Sequence, residues 1–176
     1  MENKLKGTGI ALVTPFLADK TIDFKALERL INHCIDGGVE YLVTLGTTGE
    51  SVVLNKKEKQ EIINFTAKII AKRVPLLGGF GGNNTIQVIE DISNFDTSKL
   101  DGILSASPNY NKPSQEGIYQ HYKAIAAVSP RPIILYNVPS RTGSNMTAST
   151  TLRLAAEFPN VVAMKEASGN LVQCME

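Results

Sequence analysis

The stretch VVAMKEASGN, residues 161–170, runs from four apolar residues straight into a lysine. An apolar run of this length, Val161 to Met164, indicates a strand that is buried on both faces. Such strands are typical of a parallel sheet covered by helices. A charged side chain at the end of the strand, Lys165, therefore needs a chemical explanation.

Five further apolar runs precede this strand, and amphipathic helical patterns separate them. The runs lie in residues 7–15, 40–46, 74–79, 101–107 and 131–139. Asp23 is placed to cap the first helix, and Asn55 with Glu58 has the spacing of a capping box for the second. Later helices are predicted near residues 84–94, 114–128 and 147–157. The strand centres recur about every 30 residues, which is the length of a βαβ unit.

This alternation predicts an α/β fold with a parallel sheet, either an open doubly wound sheet or a (β/α)₈ barrel. The chain supplies six strands and five helices, with a sixth helix beginning at residues 169–176. A barrel with this period needs roughly 250 residues. We therefore expect residues 1–176 to be the N-terminal part of a single (β/α)₈ barrel domain. About six units would be present, and the last two units and the C-terminal helices would be absent, as in a fragment or a truncated protein.

Composition excludes several classes of protein. Of the 176 residues, 43% are hydrophobic and 20% are charged, as in globular proteins, and the formal net charge is +1 with no basic block. Neither nucleic acid nor a membrane is therefore an expected partner. The N-terminal residues lack the apolar segment of a signal peptide, so a cytoplasmic location is predicted. Cys34, on the apolar stripe of a predicted helix, is expected to be a buried free thiol, and neither metal nor redox chemistry is expected of Cys34 and Cys174.

Strand alternation places Lys165 beside a tyrosine. Lys165, Ala163 and Val161 share one face of their strand, and Tyr136 shares a face with Ile134 in the strand before. Neighbouring strands lie about 4.8 Å apart. If these two strands are neighbours, Lys165 and Tyr136 meet at the carboxyl-terminal rim, where βα-barrels carry their active sites.

A lysine inside a barrel is costly as a cation, so burial is expected to lower its pKa. The neutral amine is a nucleophile for carbonyl compounds and forms a Schiff base. The protonated imine then acts as an electron sink, as in class I aldolases, and Tyr136 is placed to shuttle protons. The alternatives for Lys165 are a lysine that reaches back to water and one that is paired with Glu166.

Two loops add polar groups to the same rim. LGTTGES, residues 45–51, offers the hydroxyl groups of Thr47 and Thr48 to a carboxylate or a proton relay, although it could be an ordinary βα turn. It lacks the GK[ST] of a nucleotide-binding loop. In YNVPSRTG, residues 136–143, Arg141 suits bidentate capture of a carboxylate, or is a solvated loop arginine. His33 and His121 lack metal-ligand spacing and are expected to pack or to face solvent.

Four motifs together carry a family resemblance. GTTGES, SPNYNKPSQEGIYQHY, ILYNVPSRTG and KEASGN resemble the dihydrodipicolinate synthase family, whose members are pyruvate-dependent class I aldolases on a (β/α)₈ barrel. The resemblance runs from Gly7 to the last residue. The segments YNVPSRTG and NKPSQEG favour this family over related aldolases.

The resemblance implies a catalytic group of four residues. Lys165 would form a Schiff base with pyruvate, Tyr136 would transfer protons, and Thr47 would link Tyr136 to Tyr110. In the family the tyrosine that matches Tyr110 reaches in from a neighbouring subunit. The implied assembly is a homotetramer, a dimer of tight dimers.

The resemblance also implies the substrates. Thr48 would hold the carboxylate of pyruvate, and Arg141 would bind L-aspartate 4-semialdehyde. The implied lyase condenses the two through the lysine Schiff base into 4-hydroxy-tetrahydrodipicolinate, a step of lysine and diaminopimelate biosynthesis. It needs no metal or organic cofactor beyond the covalent pyruvate imine on Lys165. The alternatives are a sugar-acid or N-acetylneuraminate aldolase, and a catalytically silent truncated barrel.

Two departures from the family modify these expectations. Six strands cannot close a barrel, so residues 1–176 alone are expected to be inactive. Lysine-inhibited members carry polar and aromatic residues at a cavity of the subunit interface, and weak lysine inhibition is expected because this chain differs there. The matching positions carry Val52, Lys56, Lys59, Gln87 and Asn109.

Overall fold

The computed structural model describes residues 5–176. The chain divides into two compact units. The first unit comprises the residues up to Gly79 together with Asp96–Gly102, and the second comprises Phe80–Phe95 together with Ile103–Glu176.

The first unit is built on three parallel strands in the order β1 (Gly9–Ala11), β2 (Tyr41–Thr44) and β3 (Leu76–Gly79). Helices α1 (Phe24–Asp36) and α2 (Lys56–Ile70) pack against each other, and α2 packs on β2 and β3. The apolar stripes of both helices are buried, which is what their helical spacing predicts. The core of this unit contains Leu27, Ile31, Leu42, Ile62, Ile63 and Leu76.

Both helix starts of this unit follow the sequence prediction. The side chain of Asp23 accepts a hydrogen bond from the amide of Ala26 at 2.8 Å. Asn55 accepts from the amide of Glu58 at 3.0 Å, and Glu58 accepts in return from the amide of Asn55 at 2.8 Å. This reciprocal capping box satisfies two amides that the first turn of a helix leaves unpaired.

The second unit also contains three parallel strands, β4 (Gly102–Ala106), β5 (Ile133–Asn137) and β6 (Val161–Glu166), in that order. The predicted helices are present as α3 (Thr85–Asn94), α4 (Gln115–Val128) and α6 (Ala148–Glu157). Helix α4 packs against both α3 and α6. The sixth helix expected to begin within residues 169–176 is present as the short α7 (Leu171–Met175), whereas the short α5 (Pro139–Thr142) was not predicted from the sequence.

The packing of β6 differs from the sequence prediction. All five residues of β5 are buried, but in β6 only Val161 is buried, and Lys165 is exposed. The reason is that β6 pairs with β5 on one side and has no strand on its other side within residues 5–176. The expectation of a strand buried on both faces is therefore wrong for this part of the chain.

The pairing of β5 with β6 contains one irregularity. Ile133 lies opposite Val161, whereas Ile134 lies opposite Ala163, so Val162 is an extra residue in β6. This is a β-bulge, which interrupts the alternation of side chains. The expected face-sharing of Lys165 with Ala163 is present, but it does not extend back through the bulge to Val161.

Cys34 agrees with the sequence prediction. Cys34 is buried, Cys174 is exposed, and both are free thiols. Burial raises the pKa of the Cys34 thiol. Among residues 5–176, no helix combines the length and the apolar character needed to cross a membrane.

Candidate active site

The centre of the candidate site is a lysine and a tyrosine at the ends of two neighbouring strands. Tyr136 of β5 and Lys165 of β6 lie directly opposite each other in the parallel pairing. The Lys165 Nζ atom lies 4.4 Å from the centroid of the Tyr136 ring. Both residues stand at the carboxyl ends of their strands, side by side as the alternation predicts.

The surroundings of Lys165 shift its protonation equilibrium towards the neutral amine. Lys165 is an exposed residue, yet the protein atoms around its amine remove part of its water and lower the pKa of Lys165 below its ordinary value. An ion pair with Glu166 was one alternative for this lysine. The Glu166 carboxylate instead accepts hydrogen bonds from Asn137, Ser168 and Gln173.

Tyr136 is held more firmly than Lys165. Its side chain is buried with 8% of its surface exposed, and its backbone carbonyl accepts from the amide of Ser107 at 3.2 Å. Behind β4, Tyr122 is fully buried and donates to the carbonyl of Ser105 at 2.8 Å. The strand end that carries Tyr136 is thus supported by a packed interior, while the amine of Lys165 stays reachable.

Arg141 lies in the short helix α5, which starts directly after β5. Pro139 occupies its first turn, where the missing N–H is no loss, and Gly143 ends it with φ at +74°. The Arg141 side chain is exposed. A Cβ on Gly143 would lie 2.9 Å from Cε of Lys112, so the residue 109–112 loop packs against this turn.

Tyr110 projects from that loop in an unusual conformation. It is 85% exposed, and its φ of +69° lies in the left-handed region, as does the +46° of Lys112. Non-glycine residues adopt such angles at a cost and only where the surroundings impose them. In the second unit, the structure brings Tyr136 and Lys165 into contact and leaves Tyr110 pointing outward.

Thr47 and Thr48 belong to the first unit, in the loop that follows β2. Both side chains are exposed. The amide of Gly49 donates to the carbonyl of Gly46 at 3.1 Å, and the hydroxyl of Thr14 donates to the carbonyl of Gly49 at 2.7 Å. These bonds fold the loop into a tight turn that presents the two threonine hydroxyl groups.

Two polar residues next to the pair were not assigned to the site from the sequence, where Glu166 was considered only as an ion-pair partner of Lys165. Asn137 and Glu166 each follow one residue of the Tyr136–Lys165 pair and lie opposite each other in the next register position. His121 was expected to pack or to face solvent, and it is buried, with Nδ1 bonded to the Thr85 hydroxyl at 2.8 Å. Within residues 5–176, no three His, Cys, Asp or Glu side chains form a group that could hold a metal ion.

Comparison with known proteins identifies the family. The six parallel strands alternating with helices make this an α/β protein, and its structural neighbours show that the units are part of a (β/α)₈ barrel. The sequence model of the Dihydrodipicolinate synthetase family matches residues 4–176, so the chain belongs to that family. The fold class expected from the sequence is thereby confirmed.

Individual relatives agree with this assignment. The chain is 55% identical over 170 residues to the 4-hydroxy-tetrahydrodipicolinate synthase of Flavobacterium psychrophilum, covering 97% of this chain and 58% of that protein. It is 53% identical over 169 residues to the enzyme of the same name from Parabacteroides distasonis, covering 96% and 57%. The crystal structure of dihydrodipicolinate synthase from Thermotoga maritima superposes with a TM-score of 0.93 at 39% identity, covering 97% and 57%. The chain thus spans less than two thirds of the length of these relatives.

Proposed function

We propose that the protein containing this chain condenses pyruvate with L-aspartate 4-semialdehyde to give 4-hydroxy-tetrahydrodipicolinate and water. The observation that carries the proposal is the amine of Lys165, with its lowered pKa, over the ring of Tyr136 at the carboxyl ends of β5 and β6. Family membership and the names of the relatives support the choice of substrates.

The first step in this proposal is attack of the Lys165 amine on the keto carbon of pyruvate. A carbon–nitrogen bond forms, and the former carbonyl oxygen leaves as water. The resulting protonated imine draws electrons from the neighbouring methyl group, which loses a proton to become a nucleophilic enamine carbon. Tyr136, whose ring centroid lies 4.4 Å from the amine, would carry these protons.

The second step joins the two substrates. The enamine carbon attacks the aldehyde carbon of the semialdehyde, forming the carbon–carbon bond and the new hydroxyl group. The amino group of the semialdehyde then attacks the imine carbon and displaces the Lys165 amine, which closes the ring and frees the enzyme. Arg141 would hold the carboxylate of the semialdehyde with its two-pronged guanidinium group, and Thr48 that of pyruvate.

Tyr110 supports an oligomeric enzyme. An aromatic side chain that is 85% exposed, on a loop with left-handed backbone angles, suits a contact made outside its own chain. We propose that Tyr110 completes a relay through Thr47 to Tyr136 in a neighbouring subunit of a homotetramer. A cytoplasmic location and the absence of any organic cofactor remain predictions.

The test is to trap the imine. The full-length protein and the 1–176 segment are each incubated with pyruvate and sodium borohydride, which reduces the imine to a stable adduct, and the modified lysine is located by mass spectrometry. An adduct on Lys165 of the full-length protein is expected. Turnover with the semialdehyde, but not with sugar-derived aldehydes, would then separate the proposed reaction from those of related aldolases.

A further inference from the structure

Behind the Tyr136–Lys165 pair lies a carboxylate held by four donated hydrogen bonds. The amide nitrogen of Asn137 donates to both oxygens of Glu166, at 3.1 and 3.0 Å. The backbone amide of Ser168 donates to one oxygen at 2.6 Å, and the side chain of Gln173 donates to the other at 2.9 Å. Nothing in the proposed reaction uses this group.

Asn137 has no freedom to turn away from Glu166. Its side chain is fully buried, and its amide oxygen accepts from the backbone amide of Met146 at 3.0 Å. Its amide nitrogen also donates to Asn145 at 2.7 Å. The oxygen is therefore committed to a backbone donor, and only an acceptor fits opposite the nitrogen.

Glu166 is accordingly held as a carboxylate. Its partial burial raises the pKa of Glu166, but the hydrogen bonds from Asn137, Ser168 and Gln173 outweigh burial, and the pKa lies below its ordinary value. The pKa of Lys165, in contrast, is lowered by burial. The negative charge of Glu166 is thus balanced by its hydrogen-bond donors. Its influence on Lys165 is therefore on where the lysine lies along the strand and not on its pKa.

The bulge at Val162 changes the register between β5 and β6 before the strands reach Tyr136 and Lys165. A shift of one residue in the pairing of two strands turns each side chain to the opposite face of the sheet. The bulge lets β6 take up an extra residue, so the pairing at Ile133 does not by itself determine which residue lies opposite Tyr136. The pairing must therefore be fixed beyond the bulge.

The Asn137–Glu166 pair fixes the register of β5 and β6 directly after Tyr136 and Lys165. It occupies the next register position, where side chains point to the other face of the sheet. The amide of Ala167 adds a backbone bond to the carbonyl of Asn137 at 2.9 Å. We infer that Glu166 is a positioning residue: through Asn137 it locks the register that sets Lys165 opposite Tyr136. This inference rests on the proposed function.

The test compares substitutions of two carboxylates in the full-length protein. Glu166→Gln keeps the size of the side chain but turns one acceptor into a donor, which faces the donating amide of Asn137 in either orientation, together with the donor of Ser168 or of Gln173. Glu157→Gln is the matched control, because Glu157 is also a hydrogen-bonded carboxylate of the second unit but bonds Tyr119 and Arg153 on the helix surface. The rate of borohydride trapping on Lys165 is measured at saturating pyruvate from pH 6 to pH 10.

Glu166→Gln is expected to lower the plateau trapping rate about 10- to 100-fold, as misplacement of a reacting group does, with no change in the pH midpoint. Glu157→Gln should trap at the parent rate.

Three results would overturn the inference. The first is a parent rate in Glu166→Gln, and the second is an equal loss in Glu157→Gln. The third is a shift of the pH midpoint by a unit or more with an unchanged plateau, which would make Glu166 an electrostatic group. A parent protein that traps no pyruvate would overturn the proposed function itself, whereas the three results above overturn only the inference, so the two failures can be told apart.

Discussion

Lys165 and Tyr136 occupy the same register position on neighbouring parallel strands, with the amine 4.4 Å from the centroid of the ring. Either residue alone would be unremarkable at the end of a strand. Together they place a nucleophile with a lowered pKa against a buried phenol that can move protons. The predictions on the chemistry start from this pair.

Lys165→Ala is expected to abolish borohydride trapping of pyruvate in the full-length protein, because no other amine lies over Tyr136 in the second unit. The measurement is mass mapping of the reduced adduct. Lys123→Ala is the control, since Lys123 is an exposed lysine of α4. An adduct that maps to Lys112 or Lys123 in the parent protein would make the assignment wrong.

Tyr136→Phe is expected to slow turnover far more than it weakens pyruvate binding. The ring and its packing are kept, and only the hydroxyl that transfers protons is lost. Removal of a general acid–base group typically lowers the rate by about 10²–10⁴. Steady-state kcat and the pyruvate concentration that half-saturates trapping are the two measurements. An unchanged kcat would remove Tyr136 from the mechanism.

Arg141→Ala is expected to raise KM for the semialdehyde about 10- to 100-fold and KM for pyruvate much less. The loss corresponds to a hydrogen-bonded charge pair of about 1.5–3 kcal/mol. Arg141→Lys keeps the positive charge but loses the planar guanidinium that binds a carboxylate through two N–H groups. An intermediate KM for the semialdehyde is therefore expected. Equal effects of Arg141→Ala on both substrates would indicate a structural role for α5.

L-Lysine is expected to inhibit the full-length protein weakly, because the residues that match the family's lysine-binding positions suit a dicationic ligand poorly. Gln87 stands at the position of an acid, and its amide already donates to Asp91 at 2.9 Å. Lys56 and Lys59 add positive charge. Initial rates are measured against lysine at saturating and sub-saturating pyruvate. Half-inhibition at or below about 1 mM, or roughly 4 kcal/mol of binding, would contradict the expectation. Gln87→Glu should strengthen inhibition.

Periodicity was enough to predict the strands, the main helices and the meeting of Lys165 with Tyr136, because each depends on local patterns of apolar residues. The bulge at Val162 was not predictable, since both Val161 and Val162 suit either face of a covered strand. Glu166 was considered only as an ion-pair partner for Lys165. Its hydrogen-bond partner Asn137 is 29 positions away in sequence, and the register that brings the two together is a tertiary property.

Buried His121 is expected to make folding sensitive to acid. Only 3% of its surface is exposed, and its Nε2 atom has no hydrogen-bond partner among residues 5–176. Burial lowers the pKa of His121 from its ordinary 6.5 to about 4. The unfolded chain therefore binds this proton more readily than the folded chain. The free energy of unfolding is expected to fall as the pH drops below about 6.5, by up to about 3 kcal/mol at pH 4.

The measurement is denaturant unfolding of the parent protein and of His121→Gln at several pH values between 7.5 and 4. Carboxylates also titrate in this range, so the informative quantity is the difference between the two proteins. Glutamine can still bond the Thr85 hydroxyl but binds no proton, and the variant should lose up to about 3 kcal/mol less than the parent. His33→Gln, which removes an exposed histidine of α1, is the control. Parallel pH curves for the parent and His121→Gln would show that protonation of His121 does not limit stability in acid.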